Sequence, residues 1–495
     1  MPAPASPQTV IARGVGSNAL SFVLRFAARA GFLFIGAKLF GATSYGVFTL
    51  AVAVVELAVP VASLGLKRMV FPWLEEEAAS RGAMHVLLDA LALATIAGSL
   101  VALFIVSLSE LLPGAMISHQ LRLALLVLGP AVMGQVTADI ALATTRWTHA
   151  MRYEVTARGA VEPYVATAVT LAAWYAGFST TGLLIGYWAG TIALVGFSLW
   201  SARHCLGPFG LLRWRPDLEA SWQRVRRLLP ASGSDLVASF AQRVDLYLVG
   251  LLLGDAAAGM YGVVRQLRTP ILQVRQAFDG ILTPLIARTM RADGDVAAGE
   301  ATAAATRVVL TAQLGIVLLM IAAGDSLLGL FGRQYIAAYA ALVAMAMGEA
   351  VNGAFGLSEL IIYYRRPALA LALNVVLIAI IALLIPLLAP RMGIAGASTA
   401  TLIAALCGAA LRRHWLRRFG VLRDPLHAAL PMAAALVAGL AGYAVQQSLN
   451  EVAGLPVLFD KLSPPIVALG LYAVAIRAWV RWQPTVLSLA RFRVA

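Results

Sequence analysis

Charged side chains are scarce in this sequence, which has 13% charged and 60% hydrophobic residues over 495 positions. A typical soluble domain has about 25% charged residues, so the composition excludes an ordinary water-soluble protein. Cysteine is also rare, because only Cys205 and Cys407 are present. Both fall near the ends of apolar segments that the charge distribution assigns to the cytoplasm, where thiols stay reduced. We therefore expect no disulfide.

Residues that carry enzyme chemistry are few and scattered. The six histidines lie far apart, and neither H-E-x-x-H nor a Walker A pattern occurs. The stretch GVGSNA from Gly14 fits G-x-G-x-x-A, but no predicted strand precedes it, as a dinucleotide site requires. These absences argue against a metal centre, a nucleotide cofactor and built-in ATP hydrolysis. We expect no catalytic residues, no metal and no cofactor.

Long apolar runs dominate the chain instead, and its mean hydropathy is +0.82. A helix needs about 20 mostly apolar residues to cross a bilayer, and about 14 such windows follow one another. The sequence therefore predicts an all-α polytopic membrane protein. The windows are 16–38, 46–66, 84–109, 120–144, 160–178, 182–202, 232–253, 257–285, 304–324, 336–362, 368–390, 393–411, 428–447 and 463–480.

The net charge of +14 is distributed unevenly over the predicted loops. With a cytoplasmic N terminus, alternate loops collect most of the 38 basic residues, among them Lys67, Arg158 and Arg412. The opposite loops hold only Lys38, Arg122, Arg333, Arg391 and Lys461. Because positive residues stay on the cytoplasmic side, this pattern predicts that both termini are cytoplasmic. It accounts for the basicity without a nucleic-acid partner.

Two parts of the chain repeat one another. GSNAL at 16–20 resembles GSDLV at 233–237, and each opens a predicted span. Each of these spans is followed by a second shared motif, GATSYGVF from Gly41 and GDAAAGMY from Gly254. The repeat predicts two halves that enter the membrane in the same orientation, as in parallel-repeat transporters. Chance similarity between Gly- and Ala-rich membrane segments is the alternative.

The segment between the two halves, 203–231, mixes arginines with Trp214, Trp222 and leucines. We expect it to be an amphipathic linker at the cytoplasmic interface, and an irregular basic loop is the alternative. The predicted domains are an N-terminal lobe 1–202 with spans 1–6, the linker 203–231, a C-terminal lobe 232–424 with spans 7–12, and 425–495 with spans 13–14 and a cytoplasmic tail.

Six arginines fall inside predicted spans, where a lipid-facing arginine costs about 2.5–3.5 kcal/mol. They are Arg25, Arg29, Arg243, Arg265, Arg268 and Arg275. Because helical residues advance by about 100°, the last three share one face with Asp279, and Gln276 borders that face. Arg25 and Arg29 share a face with Asn18 for the same reason. We expect all these side chains to point away from lipid.

Acidic residues in other spans are candidate partners for these arginines. Glu349, Asn352, Glu359 and Tyr363 repeat the spacing of the arginine face, so span 10 can pair laterally with span 8. Two interpretations stay open: each arginine is neutralised by an acid and fixes helix packing, or the polar faces line a central cavity for an anionic substrate. The acids predicted to pair with arginine or to bind a coupling ion are Glu56, Asp139, Asp245, Asp279, Glu349 and Glu359.

The stretch AKLFGATSYGVFTLAVAVVELAVPVASLGLKR at 37–68, followed by an EEE loop, resembles bacterial polysaccharide exporters. These are the Wzx-type flippases of lipid-linked oligosaccharides, in the multidrug/oligosaccharidyl-lipid/polysaccharide (MOP) superfamily. The second half repeats the pattern in DLYLVGLLLGDAAAGMYGVVRQLRTP at 245–270, which ILTPLIAR follows. The resemblance implies a MATE-like fold of about 14 transmembrane helices, in two pseudo-repeated lobes around a central cavity.

The same resemblance implies a transporter, not an enzyme. A protein of this family would flip an undecaprenyl-pyrophosphate-linked oligosaccharide across the bacterial inner membrane by alternating access, for O-antigen, exopolysaccharide or capsule. The expected partners are that glycan lipid, membrane lipids, a coupling H⁺ or Na⁺, and polysaccharide polymerase and chain-length proteins. The match in span 1 carries substrate contact to Arg25 and Arg29. The other predicted substrate contacts, Arg243, Arg265, Arg268, Arg275, Asn18 and Gln276, depend on their positions within spans.

Three alternatives remain. A multidrug antiporter of the same superfamily should have a cavity dominated by acids, whereas the predicted cavity is rich in arginine. A lipid II flippase should carry a signature near the first span that is not evident here. A polysaccharide polymerase or ligase should have a large periplasmic catalytic loop, and the longest outside segment, about 448–462, is short.

Overall fold

The computed structural model describes residues 7–114, 117–209, 214, 219, 222–223, 226, 236, 239–292, 294–421, 429–450 and 457–482. Side chains are described outside residues 7–30, 68–69, 79, 277–285, 287–288, 429–431, 436, 443, 445–450, 457–462 and 479–482. Regular structure in these ranges is helical, and they contain no strand. This confirms the predicted all-α class. The chain divides into two compact units, Met1–Arg243 and Val244–Ala495.

The first unit contains eight α-helices and one π-helical turn in its described part. They are α1 (Pro7–Ser63), α2 (Leu66–Arg81), α3 (Ala83–Leu111), α4 (His119–Leu128), α5 (Ala131–Trp147), α6 (Arg152–Thr156), the π turn (Ala157–Val161), α7 (Glu162–Tyr175) and α8 (Thr180–Leu206). The segment α2 is helical where the sequence analysis has a loop. At the centre of this unit is α5, in which every residue of 140–145 is buried.

The second unit contains ten α-helices and one 3₁₀ turn in its described part. They are α9 (Val244–Leu253), α10 (Asp255–Leu267), α11 (Thr269–Ala292), α12 (Gly294–Gly329), the 3₁₀ turn (Arg333–Ala338), α13 (Tyr339–Gly356), α14 (Glu359–Arg365), α15 (Pro367–Met392), α16 (Ile394–Arg418), α17 (Ala429–Asn450) and α18 (Val457–Trp482). Helices α13 and α16 pack closely, since a Cβ on Gly348 would lie 3.2 Å from Cα of Leu402.

The glycines that open the repeated motif have the same backbone conformation. Gly41 has φ 80° and ψ 169° and interrupts α1 between predicted spans 1 and 2. Gly254 has φ 84° and ψ 179° and separates α9 from α10. A positive φ is accessible to glycine at no steric cost and is strained for other residues. The shared conformation shows that the repeated letters mark the same structural break in both units.

Eight helices in the described residues are long and apolar enough to cross a membrane. They are Gly31–Ser63, Ala83–Leu111, His119–Trp147, Thr180–Leu206, Gly294–Gly329, Arg333–Gly356, Pro367–Met392 and Ile394–Arg418. Shorter apolar helices cover Val244–Leu253, Met432–Gly442 and Ser463–Ala478. The chain is therefore a multi-pass membrane protein, while the predicted count of 14 is not confirmed. Helices α7, α10 and α11 lie outside the eight.

Candidate functional site

The second unit holds a buried acid at the start of α9. Asp245 is 5% exposed, and its carboxylate accepts hydrogen bonds at 2.6 Å from Nη1 of Arg265 and at 3.0 Å from the hydroxyl of Tyr261. Both partners come from α10, because the break at Gly254 reverses the chain and returns α10 beside α9. Arg265 and Asp245 therefore form a charge-assisted ion pair inside this unit.

The predicted lateral contact between the arginine face and the Glu349 face is present. Nη1 of Arg268 donates to Oε2 of Glu349 at 2.9 Å, and Glu349 is 5% exposed. One helical segment further on, Nη1 of Arg275 lies 3.5 Å from the carbonyl oxygen of Asn352. The two arginines thus contact α13 at residues three positions apart. The faces meet as predicted, but the register differs, because Arg268 and Arg275 are seven positions apart and the matching spacing would pair Arg268 with Asn352.

Glu359 has a different partner from the arginines of α11. It lies at the start of α14 and accepts hydrogen bonds from Nη2 of Arg412 at 3.1 Å and from Nδ2 of Asn374 at 2.8 Å. The prediction that Arg412 lies in a loop is wrong, because α16 extends to Arg418 and Arg412 is 4% exposed. The burial of Arg412 explains the pair, since a buried guanidinium needs a carboxylate near it.

The first unit contains an ion pair between Glu56 and Arg243. Oε2 of Glu56 accepts from Nη2 of Arg243 at 2.6 Å and from Nε at 2.8 Å. The Glu56 side chain is 49% exposed and that of Arg243 is 21% exposed. Two donors from one guanidinium fix the orientation of this pair more firmly than a single contact would.

A second and larger network in the first unit is centred on Arg158. Its Nη2 lies 2.6 Å from Oδ1 of Asp139, and its Nη1 lies 2.8 Å from Oε1 of Gln135 and 3.4 Å from Oε2 of Glu162. Gln135 also donates to Glu162 at 3.1 Å. Nζ of Lys67, on α2, lies 3.4 Å from the other oxygen of Asp139. The network therefore contains two cations, Lys67 and Arg158, and two carboxylates, Asp139 and Glu162. The amide of Gln135 contacts Arg158 and Glu162.

The helix that carries Arg158 is widened at that point by the π turn. Proline has no N–H, so Pro163 cannot donate to the carbonyl of Gly159 four residues earlier. The N–H of Glu162 accordingly reaches back five residues to the carbonyl of Ala157. Single π turns occur often at functional positions. The prediction that Arg158 lies in a loop is wrong, because α6, the π turn and α7 run without a break from Arg152 to Tyr175.

Several predicted site residues are not placed by these contacts. Asn18, Arg25 and Arg29 lie on the helical backbone of α1, and Asp279 lies on that of α11, but their side chains are outside the described residues. Gln276 is exposed on α11. Their roles stay predictions. Among the residues that the structure describes, no group of three or more His, Cys, Asp or Glu could hold a metal ion.

Comparison with known proteins gives a family for the chain. A family model described as "Polysaccharide biosynthesis protein" matches residues 35–340, which is more than half of the chain. The chain belongs to this polysaccharide biosynthesis family. The matched region contains the ion pairs of Glu56, Arg158 and Asp245. It also contains Arg268, whereas Glu349, Glu359 and Arg412 lie beyond it. A comparison with curated proteins gives no match.

Solved structures show which fold this family member has. A lipid II flippase, MurJ, in an inward closed conformation matches with a TM-score of 0.73 at 14% identity, covering 94% of this chain and 99% of that one. An inward-facing multidrug resistance MATE transporter of the MOP superfamily matches with a TM-score of 0.57 at 14% identity, covering 81% and 96%. The fold of the polysaccharide biosynthesis protein is thus that of MOP transporters, as predicted, and these solved structures are transporters, not enzymes.

Four residues of the Arg158 network are absent from the predicted site. They are Lys67, Gln135, Arg158 and Glu162. A signal was available in the sequence, because Gln135 and Asp139 are four residues apart, as are Arg158 and Glu162, and each spacing places two polar groups on one helix face. The helix face shared by Arg158 and Glu162 is missed when Arg158 is assigned to a loop.

Proposed function

We propose that this polysaccharide biosynthesis protein is a flippase that moves an undecaprenyl-pyrophosphate-linked oligosaccharide across the bacterial inner membrane. The observation that carries the proposal is the presence of two ion pairs inside a transporter fold. Arg265 pairs with Asp245, and Arg268 pairs with Glu349. The product would supply O-antigen, exopolysaccharide or capsule synthesis, with a polymerase and chain-length proteins as downstream partners. Both termini would lie in the cytoplasm, as the distribution of arginine and lysine predicts.

The chemistry of arginine supports a phosphate ligand. A guanidinium stays charged when desolvated and donates two parallel hydrogen bonds, which suits a phosphate better than a single ammonium does. In the absence of substrate, the neighbouring carboxylates satisfy the same donors. We propose that substrate diphosphate replaces these carboxylates. The proposed substrate contacts are Arg25, Arg29, Arg243, Arg265, Arg268, Arg275, Asn18 and Gln276.

The acids in this arrangement supply a route to ion coupling. A carboxylate that loses its arginine to the substrate becomes available to H⁺ or Na⁺, so substrate binding and ion binding would depend on one another. The acids proposed for this role are Glu56, Asp139, Asp245, Asp279 and Glu349. Glu359 is proposed as a structural partner, because Arg412 is buried and pairs with Glu359 at 3.1 Å. Transport would proceed by alternating access.

A multidrug antiporter is the second candidate, since a MATE transporter shares the fold. The balance of charge favours the flippase, because Arg243, Arg265 and Arg268 each carry a cation into a predicted span. An antiporter for cationic drugs would place unpaired acids there instead. The higher TM-score of the lipid II flippase also supports a lipid-linked ligand.

Surface polysaccharide in cells tests the proposal. In a strain that lacks the chromosomal copy, variants Arg265→Ala and Arg268→Ala should lower surface polysaccharide at least about tenfold at matched protein level, as expected when a charged contact of about 1.5–3 kcal/mol is lost. Arg391→Gln is the matched control, because Arg391 is exposed at the end of α15. Normal export by both alanine variants, or normal export without the protein, would contradict the proposal.

A further inference from the structure

The carboxylate of Asp139 is held between two cations in the way a phosphate group would be held. Its Oδ1 lies 2.6 Å from Nη2 of Arg158, and its Oδ2 lies 3.4 Å from Nζ of Lys67. Arg158 is a planar donor and Lys67 a point charge, and both groups are common ligands of phosphate. The two cations come from different elements, Arg158 from the π turn and Lys67 from α2. Asp139 contacts both of them.

The cations are accessible, whereas the acid between them is less so. The side chain of Lys67 is 45% exposed and that of Arg158 is 31% exposed, against 13% for Asp139. A ligand can therefore approach both cations without unfolding the unit. If it displaces Asp139, Arg158 keeps its contacts with Gln135 and Glu162, which hold the guanidinium in place.

We propose that Lys67 and Arg158 form a phosphate subsite in the first unit, and that Asp139 occupies it as an internal competitor when no ligand is bound. The ligand is the diphosphate of a lipid-linked glycan, so the inference rests on the proposed function and adds two substrate contacts to it. A diphosphate carries more negative charge than one carboxylate and can contact both cations at once. It therefore replaces Asp139 at these two groups.

The role of competitor distinguishes Asp139 from an acid that only stabilises the fold. Removing its charge leaves the two cations free for the ligand, so Asp139→Asn should bind the ligand more tightly than the natural protein. A structural acid would give unchanged or weaker binding. Removing a cation has the opposite effect, and Arg158→Gln and Lys67→Gln should both weaken binding.

Binding of undecaprenyl pyrophosphate to the purified full chain in phosphatidylcholine nanodiscs tests this subsite. We expect Asp139→Asn to tighten binding by about fivefold or more and Arg158→Gln to weaken it about tenfold, as a lost charge-assisted hydrogen bond does. Lys67→Gln should weaken it about threefold, since Lys67 is the more exposed cation. A second ion pair of this unit, Arg146 with Glu154 at 3.1 Å, supplies matched controls. Arg146→Gln and Glu154→Gln should leave the affinity unchanged.

The outcomes separate this inference from the proposed function. If the natural protein does not bind undecaprenyl pyrophosphate, both are wrong. If it binds, but Lys67→Gln and Arg158→Gln leave the affinity unchanged or Asp139→Asn weakens it, only the subsite is wrong. Lys67→Gln keeps the test decisive if Asp139→Asn does not fold. A parallel series with phosphatidylglycerol identifies the source of the phosphate, because a loss of phosphatidylglycerol binding alone would overturn the assignment to the glycan carrier.

Discussion

Arg268 and Glu349 lie 81 positions apart in the sequence, yet their side chains meet at 2.9 Å inside the second unit. Each residue would be costly alone in an apolar environment, because a buried charge without a partner is strongly destabilising. Together they form a neutral pair whose guanidinium still has further donors. This relationship lets an arginine remain inside a membrane protein, where we propose that it binds an anionic ligand.

Breaking this pair should therefore affect both stability and transport. Arg268→Met alone should destabilise the protein by about 3–5 kcal/mol, because it leaves Glu349 buried without a cation. The double variant Arg268→Met/Glu349→Met should recover most of that stability and still fail to export polysaccharide. Thermal unfolding in detergent measures the first effect, and surface polysaccharide measures the second. Normal export by the double variant would show that the pair only fixes helix packing.

The pair of Glu359 with Arg412 should affect stability in the same way but should not be needed for transport. Glu359→Gln should lower the unfolding temperature, since Arg412 is buried and loses its carboxylate. The double variant Glu359→Gln/Arg412→Gln should restore stability and also keep ion-coupled transport, because this pair is proposed to be structural. Unfolding temperature and transport under an imposed ion gradient are the measurements. Loss of coupling in the stable double variant would assign Glu359 to the coupling ion instead.

Alanine at either repeat glycine should destabilise its unit. Gly41→Ala and Gly254→Ala place a Cβ at φ near 80° and ψ near 170–180°, a region essentially restricted to glycine, which costs about 1–3 kcal/mol each. The control is Gly31→Ala, because Gly31 is helical and a Cβ there meets nothing within 4 Å. That substitution should be neutral or stabilising by up to about 1 kcal/mol. Equal unfolding temperatures for all three variants would contradict a structural role of the repeated motif.

Proline at position 163 should be required for the position of Arg158. In Pro163→Ala, residue 163 can donate to the carbonyl of Gly159, so the π turn can return to α-helical geometry. A return to α-helical geometry shifts the helix phase by one residue, which rotates Arg158 by about 100° relative to α7 and away from Asp139. We expect lower transport with equal or higher thermal stability. An electron cryomicroscopy structure of the variant with the π turn retained would refute this explanation.

The sequence predicts the membrane class, the repeat and the lateral contact of the arginine face with the Glu349 face because each has a local signal. Apolar length, a motif that begins with glycine and a shared residue spacing can each be read without the fold. The positions of Arg158 and Arg412 could not be predicted from charge alone. The positive-inside rule assigns basic residues near helix ends to loops, but both helices extend further and place these arginines against acids from other elements.

The predicted number of 14 spans stays a prediction, because eight helices of the described residues are long and apolar enough to cross a membrane. Helix α10 has 13 residues and carries Arg265, and it is shorter than each of those eight helices. The charge of Arg265 is neutralised by Asp245 of α9. The sequence names candidate acids, but which acid pairs with which arginine depends on how the helices of the unit pack.

Translocation by the purified protein tests the central claim most directly. The protein would be reconstituted in vesicles with an undecaprenyl-pyrophosphate-linked oligosaccharide, and exposure of the glycan on the opposite leaflet would be followed by its accessibility to a glycosidase. We expect the natural protein and Arg391→Gln to translocate the glycan lipid, and Arg268→Ala to be at least about tenfold slower. Equal rates with and without protein, or transport of a cationic drug in place of the glycan lipid, would contradict the account.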